Sequence, residues 1–129
     1  MRLERASTLE GMSRTLQLAV IPGDGIGPEV IAEARKALKA VTAGSDLAFE
    51  QTVYRLGAER YLQDGQVLPE DEFEAIKASD AILFGAVGGV PGDPRLKDAN
   101  IERGLLLRMR FELDQYVNLR PTRIVPGVV

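Results

Sequence analysis

The sequence contains no cysteine, no histidine and no tryptophan among its 129 residues. Without cysteine and histidine, the chain alone cannot form a disulfide, a thiolate nucleophile, a zinc site of the usual ligands or a histidine general base. A chain without cysteine is also typical of a reducing compartment, so we expect a cytoplasmic protein.

Long hydrophobic runs and an excess of positive charge are absent as well. The longest apolar run, AILFGAVGGV at residues 81–90, is too short and too rich in glycine to cross a bilayer. The net charge is −3, which gives no electrostatic indication of a nucleic-acid partner. We therefore expect neither a membrane nor a nucleic acid to be a partner.

The beginning of the chain differs from the rest. Residues 1–14 lack the hydrophobic core of a signal peptide and are predicted to form a disordered extension, with Met12 as an alternative start. Residues 15–129 have a length that suits a single core, and we predict that they form one partial domain.

Apolar runs and glycine-rich turns predict alternating strands and helices. Strands are predicted at 16–21, 47–55 and 81–87, and helices at 28–43, 57–63, from 70 onwards, and at 105–112. In the first helix the predicted core-facing residues are Val30, Ala34, Ala37, Leu38 and Val41. This order predicts an α/β fold with a mostly parallel sheet flanked by helices, whose ligands bind beyond the carboxyl ends of the strands.

The first glycine-rich turn, PGDGIGPEV, does not match the dinucleotide-binding pattern G-x-G-x-x-G. Gly23 and Gly25 fit its first two glycines, but Pro28 occupies the third position, where glycine allows a helix and a strand to pack closely. No Gly-Lys-Ser/Thr follows, which excludes a phosphate-binding P-loop. We therefore predict that this is not a standard Rossmann domain, and the spacing favours a structural turn.

A second segment, GLLLRMRFELDQYVNLRPTR, places four arginines beside a leucine run in an acidic chain. Helical spacing puts Leu106 and Leu107 on the face of Arg110, and Arg120 follows on an extended stretch where the two guanidinium groups could converge. Arg108 points to another face and is predicted to be solvated or ion-paired. A pocket for a dianion with an apolar substituent explains the segment as well as a solvated basic surface does.

Three motifs in this order, PGDGIGPEV, FGAVGGVPGDP and ERGLLLRMRFELDQYVNLRP, resemble the β-decarboxylating dehydrogenases of the isocitrate/isopropylmalate dehydrogenase family. The resemblance covers residues 18–129 and implies the N-terminal part of that family's two-domain fold. It also implies a homodimeric enzyme that uses NAD to oxidise the hydroxyl group of a malate-type dicarboxylate and then releases carbon dioxide with Mg²⁺ or Mn²⁺.

The resemblance implies roles for the arginine segment. Arg110 and Arg120 would bind the substrate carboxylates, while Leu106 and Leu107 would contact an isopropyl group, with Leu105 as their neighbour. A third carboxylate, as in isocitrate, would be unpaired beside these leucines, which favours 3-isopropylmalate of leucine biosynthesis. Tartrate- or malate-type and isocitrate-type substrates remain open alternatives.

The resemblance also implies cofactor contacts and a missing part. Ile26, Gly88, Gly89 and Glu102 would contact NAD near its nicotinamide ring. The family's catalytic tyrosine and lysine and its metal-binding aspartates would lie beyond Val129, so no catalytic or metal-binding residue is assigned here. We therefore expect activity from a longer polypeptide, and the alternative is a catalytically inactive fragment or binding module.

Overall fold

The computed structural model of the chain describes residues 14–124, 126 and 127. Except for Arg14, the predicted N-terminal extension lies outside the described residues. Three parallel strands form a sheet in the order β2-β1-β3, with β1 at Arg14–Gly23, β2 at Leu47–Val53 and β3 at Ala81–Ala86. Arg14 pairs with Leu47, and Leu18 pairs with Ala81. The predicted α/β fold is confirmed, and β1 begins two residues earlier than predicted.

Helices alternate with the strands as predicted: α1 at Gly27–Thr42, α2 at Ala58–Asp64, α3 at Glu70–Lys77 and α4 at Arg108–Glu112. A 3₁₀ turn at Pro94–Leu96 and a π-helical segment at Glu102–Leu107 precede α4. The predicted helix at 105–112 therefore begins earlier, and its first part is π-helical, with the Arg108 amide donating to the Arg103 carbonyl five residues back. Within the described part of the chain, no helix has the length and apolar character needed to cross a membrane.

The central strand β1 is buried on both faces, as its unbroken apolar sequence indicates. Leu18 and Val20 face α1 and contact Ile31, whereas Ala19 and Ile21 point to the other side of the sheet. The core on that other side also contains Leu56, Leu68, Phe73, Ile76, Leu105 and Met109. The sheet thus has α1 on one face and α3, the π-helical segment and α4 on the other.

The buried side of α1 differs from the predicted one. Val30 and Val41 were predicted to face the core but are 53% and 75% exposed, whereas Ile31 is 3% exposed. The reason lies at Gly27, where an added Cβ would be 2.1 Å from the carbonyl oxygen of Pro22. This close approach of the backbone fixes the rotation of the helix. The glycine that lets helix and strand pack is therefore at position 27, one residue before the proline.

Candidate functional site

The carboxyl ends of the strands meet at Asp24. It is 6% exposed, and no other charged residue in the described part of the chain is buried. Asp24 Oδ2 accepts hydrogen bonds from the backbone amides of Ala58 (2.8 Å) and Gly88 (3.1 Å), and Oδ1 accepts one from the amide of Glu59 (3.1 Å). We call Asp24 and these three amides the Asp24 junction. It joins the turn after β1, the start of α2 and the loop after β3.

Two glycines make room for the Asp24 junction. An added Cβ at Gly57 would lie 2.4 Å from Asp24 Oδ2, and one at Gly23 would lie 1.9 Å from the carbonyl oxygen of Ala86. Gly57 is also the N-cap of α2 and has no side chain to cap it, so Asp24 supplies the cap from another loop. Sequence reasoning missed Asp24, although an acidic residue between two glycines after a buried strand was a signal.

The Asp24 junction occupies the crevice between β1 and β3, where the strand order reverses. Dinucleotide-binding folds place a pyrophosphate at such a crevice. Here the Gly88 amide donates to a carboxylate instead, at 3.1 Å, and the negative charge of Asp24 would repel a phosphate. The structure therefore gives a physical reason for excluding a standard Rossmann site, in agreement with the sequence.

A hollow of about 380 Å³ lies beside the loop after β3. Gly88, Glu102 and Leu107 are among its lining residues, so three of the residues with predicted ligand roles share it. An added Cβ at Gly88 would meet nothing within 4 Å, which leaves the backbone there open to a ligand. Gly89 instead contacts the protein, because an added Cβ would lie 2.5 Å from Leu96 Cδ1.

The turn after β1 presents the remaining predicted cofactor residue, Ile26. It is the N-cap of α1 and is 68% exposed at the carboxyl edge of the sheet, but it does not line the hollow of Glu102. A larger hollow of about 690 Å³ lies between this turn and α2, and Arg60 is one of its lining residues. Arg60 is ion-paired with Asp64 and Glu72, and these contacts, the hydrogen bond to Asp64 foremost, raise its pKa.

Arg108 is ion-paired, as predicted. Its Nη2 lies 2.6 Å from Glu70 Oε2, its Nε lies 2.8 Å from Glu112 Oε1, and its Nη1 donates to the Leu68 carbonyl at 3.2 Å. The guanidinium carbon lies 4.5 Å from the ring centre of Phe73. The hydrogen bonds to Glu112 and then Glu70 raise the pKa of Arg108 above its usual value. This side chain links α4 to the start of α3.

Arg110 and Arg120 have different surroundings. Arg110 is half-buried and lines a hollow of about 230 Å³ together with Asn118. Arg120 is exposed, and its Nε donates to Asn118 Oδ1 at 3.1 Å. Among the described residues, no acidic side chain forms an ion pair with either arginine. Arg120 therefore contacts Asn118, Arg110 lines a hollow with that asparagine, and neither arginine has an ion-pair partner among the described residues.

The leucines of the segment separate from one another. Leu105 is fully buried in the core, Leu106 is half-buried, and Leu107 lines the hollow of Glu102 rather than the hollow of Arg110. The π-helical turn explains this arrangement, because α-helical spacing does not hold through residues 102–107. The predicted contact of Leu106 and Leu107 with a substrate stays a prediction.

A metal site needs several carboxylate oxygens directed at one point. In the ranges 14–124 and 126–127, no three acidic residues lie close enough together to hold a metal ion.

Comparison with known proteins relates the whole sheet and the arginine segment to one family. The family model described as isocitrate/isopropylmalate dehydrogenase matches residues 17–129. A 3-isopropylmalate dehydrogenase of Leifsonia xyli is 71% identical over 117 residues, which are 91% of this chain and 33% of that protein. A 3-isopropylmalate dehydrogenase of Bifidobacterium longum is 58% identical over 118 residues, again 91% of this chain and 33% of the relative.

A solved structure is similar too. The crystal structure of a β-decarboxylating dehydrogenase from Thermococcus kodakarensis, in its apo form, matches with a TM-score of 0.57 and 41% identity. The match covers 78% of this chain and 27% of that one. The chain spans about a third of the length of the curated relatives it matches.

Proposed function

The chain belongs to the isocitrate/isopropylmalate dehydrogenase family, and we propose that the polypeptide carrying it catalyses the NAD-dependent oxidative decarboxylation of 3-isopropylmalate. The observation that carries this proposal is the 71% identity, over 91% of the chain, to a protein named 3-isopropylmalate dehydrogenase. The proposal includes a place in leucine biosynthesis, a homodimer and a cytoplasmic location.

In the proposed reaction Arg110 and Arg120 bind the two carboxylates of the substrate. Their support is that Arg120 contacts Asn118, that Arg110 lines a hollow with Asn118, and that neither arginine is ion-paired within the described residues, whereas Arg108 is. A guanidinium binds a carboxylate through two parallel hydrogen bonds and so fixes its orientation. Arg110 is half-buried, so its charge is less screened by water than that of Arg120.

The group that the substrate carries beside its malate part distinguishes the possible substrates, an isopropyl group in 3-isopropylmalate and a third carboxylate in isocitrate. Leu106 and Leu107 are half-buried, so each has a surface left to contact an isopropyl group. The third carboxylate of isocitrate would lose water beside these leucines without gaining a partner from them. We therefore place 3-isopropylmalate above isocitrate as the substrate.

The described residues fit the nicotinamide end of NAD. Gly88 and Glu102 line one hollow, and the open backbone at Gly88 allows a flat ring to approach. NAD, when bound, accepts the hydride from the hydroxyl-bearing carbon of the substrate. The Glu102 carboxylate attracts the positively charged ring of the oxidised cofactor. Ile26 and Gly89 are the other proposed contacts; Ile26 has an exposed side chain, and Gly89 follows Gly88 in the loop, where it packs against Leu96.

The proposed reaction also uses Mg²⁺ or Mn²⁺, and none of the described residues is assigned to bind that metal. In the described ranges, no three acidic side chains are grouped so that they could hold a metal ion. The second candidate is an inactive fragment or binding module, which would bind a dicarboxylate at Arg110 and Arg120 without turnover.

The test is NADH formation with 3-isopropylmalate, Mg²⁺ and NAD, compared with isocitrate and with tartrate. We expect a polypeptide that carries the chain together with the remaining two-thirds found in its relatives to prefer 3-isopropylmalate. A preference for isocitrate or tartrate would contradict the substrate assignment. Residues 1–129 alone should give no turnover, and measurable turnover from them would show that the essential groups are already present.

A further inference from the structure

We infer that Asp24 is a positioning residue, which holds the loop after β3 in the conformation that receives the nicotinamide ring. The inference rests on the proposed function for the identity of the ligand. Its structural part stands on the contacts of the Asp24 junction alone, so the two can fail separately.

The surroundings of Asp24 indicate that its charge has a specific task. A buried carboxylate is costly unless hydrogen bonds replace its water. Asp24 has no cation within ion-pair distance among the described residues, and backbone amides of Ala58, Glu59 and Gly88 provide its compensation. Two of these amides belong to the first turn of α2, where capping accounts for them. The Gly88 contact is the one that helix capping does not require.

The Gly88 contact acts on a part of the chain that has little else to fix it. Gly88 and Gly89 have φ angles of 148° and 68°, and two consecutive glycines can adopt many backbone conformations. Gly89 is held by its close packing against Leu96, and Gly88 is held by Asp24 Oδ2 at 3.1 Å. Gly88 also lines the hollow of Glu102. The carboxylate thus holds the backbone of a residue that lines the proposed cofactor site, and Asp24 itself is not among the lining residues of that hollow.

This arrangement predicts that removal of the Asp24 carboxylate affects NAD binding more than substrate binding. Arg110 and Asn118 line a different hollow, on the segment around α4, and none of the Asp24 contacts reaches it. Loss of the carboxylate should therefore weaken NAD binding much more than the binding of 3-isopropylmalate, for which only one of the proposed contacts, Leu107, lines the hollow of Gly88. A purely structural role would instead lower the fraction of folded protein, which reduces the apparent kcat and leaves both KM values unchanged.

The variant for the test is Asp24→Asn, which keeps the size of the side chain and removes its charge and one acceptor oxygen. Asp80→Asn is the matched control. Asp80 Oδ2 also accepts a backbone amide, from Gln17 at 2.8 Å, but it is exposed and precedes β3 at the opposite edge of the sheet. Both variants are made in the polypeptide used for the NADH assay, and KM for NAD and KM for 3-isopropylmalate are measured separately.

For Asp24→Asn we expect KM for NAD to rise about tenfold or more, as for the loss of a hydrogen bond to a charged group, with KM for 3-isopropylmalate changed less than about twofold. Asp80→Asn should change neither. Equal changes in both constants, or an unchanged KM for NAD, would overturn the positioning role.

Hydrogen exchange of the unaltered protein gives a second test that needs neither activity nor a stable variant. The Gly88 amide lies in a loop, yet it should exchange much more slowly than an unprotected amide because Asp24 accepts its hydrogen bond. Exchange of Gly88 at the unprotected rate would overturn the inference. Protection of Gly88 in a protein that gives no NADH would instead reject the proposed function and keep the contact.

Discussion

The Asp24 junction and the arginine segment, residues 104–123, differ in how their charges are compensated. Asp24 is 6% exposed, and three backbone amides satisfy its carboxylate within the described residues. In the arginine segment, Arg110 and Arg120 have no acidic partner among those residues. Apolar side chains of the segment, Tyr116 and Leu119, are 88% and 83% exposed.

The difference shows which of the two regions has its charge compensated within the described residues. The Asp24 carboxylate accepts three backbone hydrogen bonds and joins the turn after β1, the start of α2 and the loop after β3. Positive charge without a partner, next to exposed apolar surface, is typical of a surface that binds a ligand or another part of a protein. Arg108, two residues before Arg110, shows the contrast, because it is ion-paired with Glu70 and Glu112 and links α4 to α3.

The largest expected effect comes from Gly57→Ala, which tests whether the Asp24 junction is as tightly packed as described. The added Cβ would lie 2.4 Å from Asp24 Oδ2 at a φ of 140°. Strain and overpacking together should lower the free energy of unfolding by about 3–5 kcal/mol. Gly65→Ala, at the other end of α2, is the control.

Gly65 has a φ of 74°, and an added Cβ there would meet nothing within 4 Å. We expect Gly65→Ala to cost about 1 kcal/mol, from the left-handed backbone alone. Chemical denaturation measures both variants. Equal losses would show that the space around Asp24 is not limiting.

Next in size is Arg110→Ala, which tests the claim that the arginine segment binds a ligand. The charged contact to a carboxylate is lost, so KM for 3-isopropylmalate should rise about a hundredfold. KM for NAD should stay within about twofold. The free energy of unfolding should change by less than about 0.5 kcal/mol, since no described partner is left unpaired. Steady-state kinetics and denaturation check the three values, and an unchanged KM for 3-isopropylmalate would refute the carboxylate contact.

Arg108→Ala should show the reverse pattern with a smaller magnitude. It removes the ion pairs to Glu70 and Glu112 and the contact with the ring of Phe73. We expect a loss of about 1–2 kcal/mol in the free energy of unfolding and no change in either KM. Thermal or chemical denaturation measures the loss. A large increase in KM for 3-isopropylmalate would mean that Arg108 belongs to the binding surface.

The smallest expected effect is a pH dependence at Asp64, which lines the hollow of about 690 Å³ together with Asp24. The backbone amide of Gln66 and then the side chain of Arg60 lower the pKa of Asp64 below its usual value of 3.8. A lowered folded-state pKa stabilises the protein above the unfolded-state value, and that stability is lost as the pH falls through the folded-state value. Asp64→Asn should therefore weaken the fall in melting temperature below about pH 4. The same fall in melting temperature in Asp64→Asn and in the unaltered protein would contradict the assignment.

The strands and most helices were predictable because their signals are local. Apolar runs between glycine-rich turns indicate β1 and β3, and acidic residues indicate the start of α3. The buried face of α1 was not predictable, since Gly27 sets it by contact with the Pro22 carbonyl, which only the folded chain brings close.

The candidate site was predictable to a similar extent. Helical spacing separated Arg108 from Arg110 correctly, because that part of the chain is α-helical. The same spacing did not describe Leu107, which follows the π-helical segment into the hollow of Glu102. Asp24 was missed because its partners Ala58 and Gly88 lie 34 and 64 residues away in the sequence.

The most direct test of the central claim is an NMR titration that follows the side-chain Nε–H signals of the arginines as 3-isopropylmalate is added. The measurement uses the polypeptide of the NADH assay, with signals assigned by single Arg→Lys variants. We predict that the signals of Arg110 and Arg120 shift to saturation while that of Arg108 stays in place. A shift of Arg108 alone, or no shift at Arg110 and Arg120 at saturating ligand, would contradict the account.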